Sequence, residues 1–181
     1  MGKRPPPTGP KPRYTADILV FHCDGDALQL LTITRKNNPY RGCLALPGGF
    51  LDPGENAETA AARELEEETH VSGLDLVRVG VFDKPGRDPR GPVVTTAFLS
   101  FAPDTSCRAD DDAASAVFRP VLDLAKQDWS FDHGEIVAAA LARALALCQE
   151  GRLSSLLPPE LDPLAVSNML TESLTAFSSR A

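Results

Sequence analysis

Residues 46–71 read LPGGFLDPGENAETAAARELEEETHV, and this stretch limits what the chain can become more than its composition does. Pro47-Gly48-Gly49 interrupts regular structure, and Asp52-Pro53-Gly54 signals a turn. Residues 56–70 are strong helix formers. On such a helix Glu64, Glu67 and Glu68 stand at i, i+3 and i+4, so at ~3.6 residues per turn the three carboxylates share one face. Like charges so placed repel by a few tenths of a kcal/mol per pair, and Glu66 adds to the crowding. Ala57, Ala61 and Leu65 form an apolar stripe on the other side, where alanine lets the helix approach a sheet closely. Arg63 lies four residues before Glu67 and within reach of Glu55, so its planar fork can orient carboxylates. Helix stability gains nothing from this acidic face. A hard divalent cation would, since magnesium prefers carboxylate oxygens, waters and phosphates. Gly48 and Gly49 permit a turn that side chains would obstruct, and a carbonyl exposed there can complete a metal shell. A solvated acidic face is the plainer reading, but it leaves the glycines, Glu55 and Arg63 unexplained.

The rest of the chain supplies strands and two further helices. Residues 14–23 read as a central strand, apolar on both faces, and residues 27–35 as its hairpin partner across Asp24-Gly25-Asp26. Residues 36–42 form a polar loop and residues 43–46 a short apolar strand. Strands are expected over 74–82, 92–102 and 114–121, with a charged loop at 84–91 and an acidic loop at 104–112. A helix follows over 132–150, with Ile136, Ala140, Ala144, Leu145 and Cys148 near one face, and a final short helix over 163–175. Strands, helix, strands, helix is the order of an α+β domain, a mixed sheet sandwiched between helices in an α/β/α arrangement. Residues 1–13 are basic and proline-rich and read as a disordered lead-in, 14–150 as the domain, and 151–181 as a helical tail.

Composition narrows the partners. Lys plus Arg is 18 against 25 Asp plus Glu, a net charge of −7, which disfavours nonspecific nucleic-acid binding. No apolar run approaches the ~20 residues of a membrane helix, and no secretory signal precedes the domain, so a cytoplasmic setting without membrane contact is expected. Cys23, Cys43, Cys107 and Cys148 suit neither a zinc site nor a disulfide scaffold and read as reduced structural thiols.

The 46–71 segment resembles the Nudix box, G-x5-E-x7-R-E-U-x-E-E-x-G-U, with U a bulky aliphatic residue. Gly49, Glu55, Arg63, Glu64, Leu65, Glu67, Glu68 and Val71 match, and His70 stands where the family has glycine. The resemblance implies the Nudix fold and attack of water on a diphosphate phosphorus. It makes Glu64 and Glu68 principal magnesium ligands, with Mn²⁺ as an alternative ion. Glu67 is a further ligand or holds a water, the Gly48 carbonyl joins the shell, and Gly49, Glu55 and Arg63 support it. The proton acceptor is left among Glu67, Asp110 to Asp112 and Glu135.

Gly86-Arg87-Asp88-Pro89-Arg90-Gly91 and Phe131-Asp132-His133-Gly134-Glu135-Ile136 are similar to segments of bacterial Nudix proteins that handle ADP-ribose, which include hydrolases and regulators. With the hairpin and residues 36–40, this likeness spans roughly residues 14–148. Hydrolysis of ADP-ribose to AMP and ribose 5-phosphate is therefore expected. Arg87 and Arg90 are candidate contacts to ribose or phosphate, and Tyr40, Phe50, Phe82 and Trp129 candidate adenine stackers. A nucleoside-triphosphate pyrophosphohydrolase acting on oxidised dGTP fits the box equally. An ADP-ribose-sensing regulator is the third reading: residues 156–161 resemble the entrance to the regulators' winged-helix domain, but the roughly 20 residues after them are too few for a helix-turn-helix with its wing. Related ADP-ribose enzymes imply a homodimer.

Overall fold

The computed structural model describes residues 9–107, 113–159 and 161–179. Strand β1 (Arg13–Asp24) and strand β2 (Ala27–Arg35) form the expected hairpin, in register from Phe21↔Leu30 to Asp24↔Ala27. Beyond that pairing the two strands take different partners. β2 pairs with β3 (Leu44–Ala45), while the start of β1 pairs with β4 (Gly48–Phe50), Asp17 opposite Gly48. Residues 44–50 thus fill the split between the two central strands.

β4 corrects the expectation that Pro47-Gly48-Gly49 interrupts regular structure. Glycine is a poor strand former by itself, but here backbone pairing to β1 decides the conformation. The other edge of β1 runs parallel to β6 (Val93–Phe101), which carries β5 (Val77–Phe82) beyond it, and β7 (Ala113–Pro120) closes the far side of β2. The sheet is therefore mixed.

Alternation along β1 builds two cores. Ala16, Ile18 and Val20 face α1 (Ala57–Thr69), where Ala60, Ala61 and Leu65 are buried. Leu19, Phe21 and Cys23 face α2 (Val121–Leu124), α3 (His133–Gln149) and α4 (Pro163–Ser178). The result is a helix–sheet–helix sandwich, with a 3-10 turn at Leu153–Ser155 between α3 and α4. α4 is longer than the short final helix expected and sends Val166, Leu170 and Phe177 into the same core as α3. Burial pushes the Cys23 thiol up to about 11, which suits an inert packing residue, and all four cysteines are free. Among the described residues no helix is long and apolar enough to cross a membrane.

Candidate active site

α1 starts where the Asn56 side chain accepts the Thr59 N–H at 2.9 Å, and it ends at His70, whose φ of 59° is left-handed. The histidine takes the conformation a glycine would, and its N–H donates to the Glu66 carbonyl at 2.9 Å. With its alanine face against the sheet, the helix turns Glu64 and Glu68 toward the β1–β4 junction.

Arg63 organises the acidic side chains. Its Nε and Nη2 donate to the two Glu55 oxygens at 3.0 and 2.9 Å, and Nη2 also donates to the Phe50 carbonyl at 3.0 Å. Nη1 donates to Glu64 at 2.8 Å and Glu67 at 3.2 Å. Glu55 is held below the usual carboxylate range, first by this arginine and then by the Asp52 N–H. Glu64 is pushed above it by burial, although Arg63 acts in the other direction.

The glycines fit this arrangement closely. A Cβ on Gly49 would lie 2.3 Å from a Glu64 carboxylate oxygen, and one on Gly48 would lie 2.2 Å from the Ala16 carbonyl oxygen. Gly48 also has φ of +149°, and its N–H donates to Glu68 Oε2 at 2.9 Å.

Above this junction lies a cavity of about 430 Å³. Glu64 and Glu68 are on its lining together with Arg35, Lys36 and Arg90 and the aromatic residues Phe50 and Phe131. The Arg90 guanidinium sits 5.3 Å from the Phe50 ring centre and 5.5 Å from that of Phe131, and Arg35 sits 5.0 Å from Phe131. Arg35 is held below its ordinary value by burial and next by the charge of Arg90, while Glu68, Asp88 and Asp17 act in the other direction.

Under the cavity is a buried polar network. Arg87 donates to both oxygens of Asp132, at 2.9 and 2.7 Å, and lies 3.9 Å from Asp17. Asp17 also accepts the Thr95 hydroxyl at 2.7 Å and lies 3.8 Å from His133 Nε2. His133 Nδ1 accepts the Leu46 N–H at 2.9 Å.

The structure brings Gly48, Gly49, Phe50, Arg63, Glu64, Glu68, Arg87 and Arg90 to one cavity and leaves others outside it. Glu67, 59% exposed and drawn to Arg63, is not on the lining, so of the three glutamates only Glu64 and Glu68 are. Glu55 sits behind Arg63. Glu135 pairs with Lys84 at 3.2 Å away from the lining, and Asp110 to Asp112 lie outside the described residues. Arg87 is buried against Asp132, and Arg90 is held by Asp88 at 2.7 Å. Trp129 and Phe82 pack against the core, the Trp129 indole N–H donating to the Leu124 carbonyl, and neither is on the cavity lining. Tyr40 stands just off the cavity with its ring 4.8 Å from Phe131. Asp17, hidden in an apolar strand, and Arg35 and Phe131 join the lining without a sequence motif to mark them. A charged residue inside a buried strand was the available signal for the first.

Among the described residues no three His, Cys, Asp or Glu side chains stand close enough to hold an ion unaided. Glu64, Glu68 and the Gly48 backbone are nonetheless hard oxygen donors on one lining, and they fit magnesium, which fills its shell with waters and substrate phosphate oxygens. The raised Glu64 carboxyl supports this fit, because a desolvated carboxylate only partly balanced by Arg63 is a place for a further cation.

The family model described as the NUDIX domain matches residues 11–140. An ADP-ribose pyrophosphatase of Methanocaldococcus jannaschii is 42% identical over 109 residues, 60% of this chain and 63% of that protein. The ADPR responsive transcriptional repressor NtrR of Acinetobacter baylyi is 32% identical over 140 residues, 74% of this chain and 55% of the repressor. The chain thus spans less than two thirds of the length of either relative. The NUDIX domain of Shewanella oneidensis NrtR, solved in complex with ADP ribose, superposes with a TM-score of 0.70 at 26% identity, covering 77% of this chain and 93% of that one.

Proposed function

The chain belongs to the Nudix family, and from that premise we propose that it hydrolyses a nucleoside diphosphate linked to a second group, with ADP-ribose cleaved to AMP and ribose 5-phosphate. The observation that carries this reading is the mixed lining of the cavity. Glu64 and Glu68 share it with Arg35, Arg90, Phe50 and Phe131. A diphosphate needs cations around its oxygens, and a nucleoside needs a flat apolar surface. An ADP-ribose pyrophosphatase and an ADP-ribose-bound domain among the similar proteins favour that nucleotide over oxidised dGTP.

In the reaction, water forms a new bond to one phosphorus as the bridging P–O bond breaks, and the water's proton passes to a base. Glu64, Glu68 and the Gly48 backbone would hold Mg²⁺, or Mn²⁺ in its place. The ion supplies charge withdrawal from phosphate oxygens and lowers the pKa of water. Arg63 fixes Glu64 against Glu55, and Gly48 fixes Glu68, so neither carboxylate must reorganise as charge shifts. Arg35 and Arg90 neutralise phosphate oxygens, and Phe50 and Phe131, with Tyr40 beside them, form the platform for the base. Arg87 acts beneath the substrate through Asp132.

Incubation with Mg²⁺ and either ADP-ribose or 8-oxo-dGTP, read as phosphate release after coupling to a phosphatase for the first and to an inorganic pyrophosphatase for the second, tests the proposal. Faster release from ADP-ribose is expected, and release from 8-oxo-dGTP alone would replace the substrate. The same reading places the protein in the cytoplasm as a homodimer with a nucleotide as its small-molecule partner. Light scattering on the purified protein tests the dimer.

A further inference from the structure

Leu46, Pro47 and Gly48 are consecutive residues, each tied to a different layer of the fold. Leu46 N–H donates to His133 Nδ1 on α3 at 2.9 Å. The Pro47 carbonyl accepts the Ile18 N–H of β1 at 2.9 Å. Gly48 N–H donates to Glu68 on α1 at 2.9 Å. Two residues therefore separate the imidazole from the amide that holds a carboxylate of the proposed metal site.

We infer that His133 is a positioning residue for the proposed hydrolysis: by accepting the Leu46 N–H it fixes the segment from which Gly48 orients Glu68. This inference rests on the hydrolase reading. Its geometric support is the way the ring is held. Nδ1 must carry the lone pair because its partner is an N–H, so the ring proton lies on Nε2, 3.8 Å from Asp17 Oδ1. Asp17 is fixed in turn by the Thr95 hydroxyl, and it pairs across the sheet with Gly48. The Phe131 ring lies 5.4 Å from the imidazole, and the His133 N–H donates to the Ser130 carbonyl. His133 is 4% exposed, and burial favours the neutral ring, the state in which Nδ1 can accept. A leucine could fill this volume and pack well. It could not accept the buried Leu46 N–H, and the segment would shift to find a partner.

The test uses the full chain with His133→Leu and His133→Asn, the amide oxygen of asparagine standing near the place of Nδ1. Groups that orient a metal ligand typically carry about 10- to 100-fold in activity or metal affinity. His133→Leu is expected to lower kcat by about that factor with KM for ADP-ribose within about two-fold, to weaken Mn²⁺ binding in a titration, and to speed hydrogen exchange at the Leu46 amide. His133→Asn is expected to recover most of kcat and the Leu46 protection. Unchanged kcat and Mn²⁺ affinity with a deprotected Leu46 amide would overturn the inference, as would equal loss in both variants with exchange accelerated throughout β1 and β6. If the wild-type protein turns over no nucleoside diphosphate, the hydrolase reading fails separately, and the Mn²⁺ and exchange measurements still decide the role of His133.

Discussion

Arg87 grips Asp132 through two hydrogen bonds of 2.9 and 2.7 Å, with the two side chains only 4% and 8% exposed. The pair joins the loop before β6 to the N-terminus of α3, the two segments in which the sequence resembles Nudix proteins that handle ADP-ribose. A buried fork of this kind costs most when one partner is removed, since the other charge stays desolvated. Arg87→Ala is expected to destabilise the fold by about 3–5 kcal/mol in urea denaturation. Arg87→Lys should recover only part of that, because an ammonium cannot match both oxygens. A loss below about 1 kcal/mol for the alanine variant would show a pair worth no more than a surface one.

Gly48 and Gly49 are expected to fail differently when changed to alanine. At Gly49 the new Cβ meets the end of the Glu64 side chain, which can swing aside. The fold should survive with a loss of about 1 kcal/mol, while turnover falls as Glu64 leaves its place. At Gly48 the Cβ meets the Ala16 backbone oxygen at a φ of +149°, and nothing flexible can yield. That variant should lose about 3 kcal/mol or more from overpacking and backbone strain together. Thermal melts paired with turnover separate the two outcomes, and equal stability losses would count against the assignment of Glu64 as the yielding group.

Glu68→Gln keeps the size of the side chain and an oxygen able to accept the Gly48 N–H, while removing the charge. Stability should stay within about 0.5 kcal/mol, the range of ordinary surface changes. Turnover should fall by about 100-fold or more, some 2.7 kcal/mol of barrier. Full activity in this variant would remove Glu68 from the site.

Most of the framework was legible from periodicity and turn signals, and the exceptions have physical causes. The strand expected over 27–35 is β2, and the helix expected over 56–70 is α1 with its two caps. β4 was hidden because Pro-Gly-Gly breaks local structure, whereas pairing to Thr15, Ala16 and Asp17 is a long-range effect. The four residues of α2 are too short to show a period. At the site, spacing on one helix placed Glu64 and Glu68, but it could not foresee that Arg63 draws Glu67 outward. The roles of Asp17, Arg35 and Phe131 depend on three separate elements meeting, which no local pattern encodes.

His70→Gly tests the helix end. A non-glycine residue at φ of 59° carries a backbone cost that glycine avoids. The substitution is expected to raise stability by up to about 1 kcal/mol with activity unchanged. A drop in melting temperature would show that His70 side-chain contacts outweigh the backbone cost.

The pH dependence of stability should carry the signature of His133. In the folded chain burial lowers its pKa, Asp17 and Asp132 oppose that effect, and Arg87 and Arg35 reinforce it. An unfolded histidine takes up its proton near ~6.5. Above that pH both states are neutral and the contribution of the buried ring is fully present. As pH falls below it, the unfolded chain binds a proton that the folded chain does not, so stability is lost until pH passes the lowered folded value. One proton limits the slope to about 1.4 kcal/mol per pH unit. Other titrating groups, the raised Glu64 among them, contribute to the total but are shared with His133→Asn. The difference between the two urea-denaturation profiles from pH 7.5 to 5 isolates the ring, and parallel profiles would mean that His133 titrates alike in both states.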